Sequence, residues 1–105
     1  MFIGVNLVQV NPGREADFEE GFRQRAGLVE RMPGFLAFEI WRPVDGREYV
    51  VMTRWRSRQD HDAWIRSPEF MVAHGRAASG IVAGARVQFY EVIESVTTEA
   101  QAEPR

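Results

Sequence analysis

The sequence predicts an α+β domain with four antiparallel strands and two helices in the order β-α-β-β-α-β. Three observations predict it. The opening run, Phe2 to Val10, is almost wholly apolar and rich in β-branched residues. A segment of helical period follows it. Two further strands, a helix broken by Pro68 and a last strand complete the pattern. At 105 residues the chain has the length of one domain.

Taken in order, Phe2 to Val10 reads as a strand buried on both faces, and Asn11-Pro12-Gly13 breaks it. Arg14 to Arg31 has helical period, with Phe18, Phe22, Arg25 and Val29 on one stripe. Met32-Pro33-Gly34 stops that helix, because proline disfavours the helical conformation in the residue before it. Phe35 to Arg42 and Arg47 to Trp55 are strands, and the Asp45-Gly46 pair between them favours a hairpin turn. Ser57-Arg58-Gln59-Asp60 has the pattern of a capping box opening a second helix. Pro68 interrupts that helix, and Ser67 is placed to cap a new start, which gives two short helices with a bend. Arg76 to Gly84 is small and glycine-rich and reads as a flexible connection; Val87 to Ser95 reads as the last strand. Residues 96–105 are polar and form a tail, leaving 1–95 as the domain.

This order is the ferredoxin-like split motif, a four-stranded antiparallel sheet with helices on one face. Such a sheet has a second, bare face. Here the strands are apolar on both sides: Ile3, Val5 and Leu7 alternate with Phe2, Val8 and Val10. Two sheets packed face to face would hide the second surface, so a homodimer closing an α+β barrel is the expectation.

Composition narrows the function classes. The net charge is -2, and no basic stripe offers itself to a nucleic acid. There is no cysteine, which excludes disulfides, thiolate catalysis and Cys-ligated metals. The first residues lack the pattern of a signal peptide, and no apolar run approaches the roughly 20 residues of a membrane span, so a cytoplasmic protein is expected. Three Trp, seven Phe and two Tyr supply material for a small-molecule site as well as for a core. No nucleophile with a base, phosphate loop or carboxylate pair is visible; Glu19-Glu20 reads as a solvated helix surface.

Four residues break the pattern. Asn6 shares a strand face with Phe2, Val8 and Val10, so its amide either bonds nearby backbone or is a donor aimed into a pocket. Arg25 lies on the apolar helix stripe, as a snorkelling side chain or a cation for an anionic ligand. His74 ends the second short helix. It caps and hydrogen-bonds there, or it ligates a metal; a lone histidine is too few for zinc but enough for a haem iron. Trp64 is core packing or a pocket wall. His61, between Asp60 and Asp62, reads as solvated.

An Asn in the first strand, a Trp on the late helix and a His ten residues later, followed by glycines, resemble the IsdG-type haem-degrading monooxygenases. These belong to the antibiotic biosynthesis monooxygenase superfamily of dimeric ferredoxin-like proteins. The segments MPGFLAFEIWRPVDG (32–46) and YVVMTRWRS (49–57) resemble that superfamily's second and third strands, and GFRQRA (21–26) looks most like its mycobacterial-type members. Some relatives carry a basic residue where this chain has Gly21. The resemblance implies that haem is both substrate and cofactor, that His74 is its proximal iron ligand, and that Asn6 is a distal hydrogen-bond donor. It implies that Trp64 forces the porphyrin out of plane and that Phe22 and Arg25 face the haem. It also implies an external electron donor, a reductant or reductase, since no flavin or nicotinamide motif is visible. Two alternatives stay open: a cofactor-free monooxygenase of the same superfamily acting on a quinol or polyketide-like aromatic, and a non-enzymatic haem-binding protein.

Overall fold

The computed structural model describes residues 1–24, 27–74 and 80–98, with the backbone alone at 72–74. Strand β1 spans Phe2–Val10, helix α1 Glu15–Arg23, β2 Phe35–Trp41 and β3 Glu48–Trp55. Helix α2 spans Arg58–Ile65, α3 Pro68–His74 and β4 Val82–Glu91. The sheet order is β2-β3-β1-β4 with antiparallel pairing throughout. This is the expected ferredoxin-like α+β arrangement.

Strand alternation sorts the sheet into two faces. Phe2, Gly4, Asn6, Val8 and Val10 of β1 share a face with Trp55, Thr53, Val51 and Tyr49 of β3, their cross-strand partners. Both helix layers pack on that face. Phe18 of α1 joins Val8, Val10 and Tyr49 in one buried cluster. Trp64 of α2 joins Phe2, Trp55 and Val29 in another. On the opposite face the partners Val5 and Met52 are each 6% exposed, while Trp41 and Tyr90 at the margins stay 48% and 50% exposed.

The caps follow the sequence. The Ser57 hydroxyl accepts from Asp60 N–H at 3.2 Å and starts α2. The Ser67 hydroxyl accepts from Phe70 N–H at 3.1 Å and donates to Trp64 carbonyl at 2.6 Å, so one side chain closes α2 and opens α3. Gly34 has φ +81°, and an added Cβ would come within 2.1 Å of the Asp60 carboxylate, so the turn before β2 needs glycine on both counts.

Three expectations are corrected. The first helix ends at Arg23 and not Arg31: Gly27 takes φ +70°, and Val29–Arg31 forms a separate 3-10 turn whose Val29 joins the α2-side cluster. The β2–β3 connection runs over 42–47, one residue longer at each end than the expected 43–46, and its Arg42 pairs with Glu19 of α1. Strand β4 begins at Val82, five residues before the expected start. Small residues with little side chain of their own still pair by backbone, Val82 with Val10 and Gly84 with Gln9. Residues 75–79 of the proposed flexible connection lie outside the described residues, as do 99–105 of the tail. Among the described residues no helix is long and apolar enough to cross a membrane.

Candidate functional site

The two buried clusters leave a gap between them, and Asn6 stands in it. Its register partners are Val51 on β3 and Val87 on β4. Asn6 is half-buried, and among the described residues its amide has no hydrogen-bond partner. Beside it the helix-side face of β4 is partly exposed: Val87 is 61% exposed and Phe89, packed against Phe2 and His61, 40%. The result is an open strip of sheet along β1 and β4, a shallow groove with an apolar floor at Val87 and the polar Asn6 beside it. That is the composition of a small-molecule site.

The α2–α3 arm forms one wall. Trp64 is 5% exposed, stacks on Trp55 at 6.5 Å and meets the edge of Phe70 at 5.4 Å. It is therefore part of the core as well as the arm that bounds the groove. His74 is the last residue of α3; its side chain and all of Arg25 lie outside the described residues. Phe22 is half-buried, meets Phe18 edge-on at 5.1 Å and faces Phe38 at 6.0 Å. It lines a separate cleft of about 420 Å3 between α1 and β2, which includes none of Asn6, Trp64 or His74. Asn6 and Trp64 thus lie toward one side of α1 and the Phe22 cleft on the other. Among the described residues no group of three or more His, Cys, Asp or Glu is placed to hold a metal ion.

Two features escaped the sequence reading. Glu19 is not a solvated surface carboxylate. It accepts from Arg42 at 2.8 Å and 2.5 Å and from the Tyr49 hydroxyl at 2.5 Å. The Arg42 hydrogen bond, then that of Tyr49, lowers its carboxyl from the ordinary 4.5 to about 2. Burial raises the Tyr49 phenol, and the Glu19 charge raises it further. His61 is likewise not solvated: it is 6% exposed, with Phe2 at 5.1 Å, Phe89 at 5.4 Å and Trp55 at 6.1 Å. The sequence held a signal for it. His61 is three residues before Trp64, the spacing that puts both on one helix face. Glu19 carried no comparable signal, since its partners come from 23 and 30 residues away.

The antibiotic biosynthesis monooxygenase profile matches residues 1–76. The chain belongs to this family. Within it, the chain is 36% identical over 95 residues to the "heme oxygenase (mycobilin-producing)" of Mycobacterium tuberculosis, an alignment that covers 90% of each. It is 30% identical over 97 residues to the "heme-degrading monooxygenase" of Bacillus anthracis, covering 88% of this chain and 90% of that one. The fold superposes with a TM-score of 0.81 on a heme-degrader from Mycobacterium tuberculosis with two hemes bound in its active site. That match is at 34% identity and covers 92% of this chain and all of the other.

Proposed function

We propose that this protein is a haem-degrading monooxygenase, a cytoplasmic homodimer that opens the porphyrin ring with dioxygen and electrons from an external donor and releases iron. The observation that carries the reading is the groove itself. Its floor is apolar and exposed at Val87, and beside it stands Asn6, whose amide has no hydrogen-bond partner among the described residues. A flat, apolar macrocycle suits the floor. The two similar proteins described above, both named for haem, support the same reading.

The residues fit that substrate. His74, at the end of α3, is the proposed iron ligand; a single neutral imidazole suffices for haem and leaves the opposite axial position open. Bound haem supplies the redox chemistry, and the protein supplies position and shape. Asn6 offers an N–H donor from a fixed strand position. Trp64 is buried between Trp55 and Phe70, so it stiffens the arm against anything pressed on it. Arg25 is the proposed partner of a haem carboxylate and Phe22 an apolar contact. The second sheet face, with Trp41 and Tyr90 half exposed beside buried Val5 and Met52, supports the dimer.

The test is spectroscopic. Haem added to the purified protein should give a sharp Soret band, and a reductant under air should bleach it. His74→Ala should lose most haem affinity. An unchanged titration in that variant removes the ligand assignment, and a stable band under reductant removes the enzymatic one. Light scattering should give twice the 12.0 kDa chain mass.

A further inference from the structure

We infer that His61 is the end stop of the groove, the residue that decides how far a flat ligand slides along β1 and so which edge of it lies over Asn6. The inference rests on the haem reading of the groove given above.

The imidazole is fixed on both sides. Its Nδ1 lies 3.1 Å from Asp62 Oδ1, so the carboxylate accepts from Nδ1–H and sets the ring's rotation. Its other edge rests on the sheet. A Cβ built at Gly4 would lie 2.8 Å from His61 Nε2 and 3.0 Å from Cδ2. The histidine therefore occupies the space that a side chain at position 4 would take.

Gly4 and Asn6 are two steps apart on one face of β1, about 6–7 Å along the strand. The floor is thus open at Asn6 and filled at Gly4. Phe2 and Phe89 flank the filled end, with their rings 5.6 Å apart. The Arg58 guanidinium covers it from outside, 5.4 Å and 5.3 Å from the same two rings. A macrocycle lying on Val87 meets this aromatic end before it can pass Gly4. Because a substituted porphyrin has unequal edges, a shift along the groove changes the carbon beside Asn6 and therefore the ring-opened isomer. A phenylalanine would fill the same box without the Asp62 tether; an alanine would leave the end open.

Zinc protoporphyrin is the first probe, because its binding can be read without turnover. Bound to the wild-type protein, it should show nuclear Overhauser contacts between porphyrin edge protons and the His61 ring. Their absence in a bound complex overturns the inference. Haem turnover is the second. His61→Ala should stay folded by its melting curve, bind haem and shift the isomer ratio. In the double variant Gly4→Ala/His61→Ala the new methyl group partly refills the floor, so the ratio should move back toward wild type. His61→Phe, which keeps the stop, should hold the wild-type isomer as the major product. An unchanged isomer ratio in a folded, haem-binding His61→Ala sinks the end-stop role. Failure of the wild-type protein to bind either porphyrin is a different result: it removes the haem reading, and the end stop falls with it.

Discussion

The two halves of the helix-side face are held by different forces. Under α1 a buried cluster of Phe18, Val8, Val10 and Tyr49 carries a polar clamp at its edge. Glu19 joins the helix to the β2–β3 loop through Arg42 and to the sheet through Tyr49, with hydrogen bonds of 2.5–2.8 Å. Under α2 the contacts are aromatic. Trp55 is fully buried, with rings of Phe35, His61 and Trp64 about it, and among the described residues its Nε1 has no hydrogen-bond partner. A buried donor without a partner costs about 1–3 kcal/mol, so this half depends on packing that outweighs such a loss. On the α1 side the polar clamp adds direction to the apolar packing of Phe18. The aromatic half fixes an arm by shape. Asn6 stands between them and belongs to neither, and among the described residues its amide has no hydrogen-bond partner.

The largest effect should come from breaking the aromatic half. Trp55→Ala should cost about 3–5 kcal/mol of stability, the range for large buried aromatics, measured by chemical denaturation. A loss under half of that would mean the rings are more loosely packed than their spacing implies. Next is the residue between the halves. Asn6→Ala should melt normally and keep most haem affinity, yet slow ring opening by a factor of about 100 to 1,000, as for a donor that acts mainly in the transition state. Single-turnover bleaching reads this. A variant that loses binding and turnover together, in step with its folded fraction, would make Asn6 a structural residue.

Smaller effects separate the polar half from the aromatic one. The Glu19 carboxyl titrates lower in the folded protein than in the unfolded chain, about 2 against 4.5. The linked stability is present in full above the unfolded value and drains away as pH falls from 4.5 toward 2. Glu19→Gln should abolish that part of the acid dependence, whereas Trp55→Ala should lower stability at every pH. Parallel melting curves for wild type and Glu19→Gln across this window would show that the carboxylate is not held by charge. The smallest effect is Tyr49→Phe, which deletes one hydrogen bond while Arg42 still neutralises Glu19. It should cost about 1 kcal/mol, read in the same melts.

Much of the fold was legible because the signals are local. Pro68, Ser57 and Ser67 act within a few residues of themselves, and the helix boundaries they set are close to those observed. The alternation in Phe2 to Val10 placed Asn6 on one face with Phe2 and Val8, and the structure shows that the helices pack on that face. The family likeness rested on the spacing of Asn6, Trp64 and His74, and the fold brings Asn6 and Trp64 to the same side of the sheet.

What only the tertiary structure decided are contacts whose partners are far apart in sequence. A glutamate on a helix looks solvated until a loop 23 residues later turns Arg42 toward it. A histidine between two aspartates looks hydrophilic until α2 docks and the glycine at position 4, 57 residues earlier, leaves the space that its ring fills. Strand β4 starts early for the same reason: Val82 to Arg86 carry little pattern of their own, and pairing with β1 makes them a strand. Local chemistry sets where elements start and stop. Which polar groups are buried depends on what the rest of the chain lays over them, because desolvation is a property of the assembled neighbourhood and not of the residue.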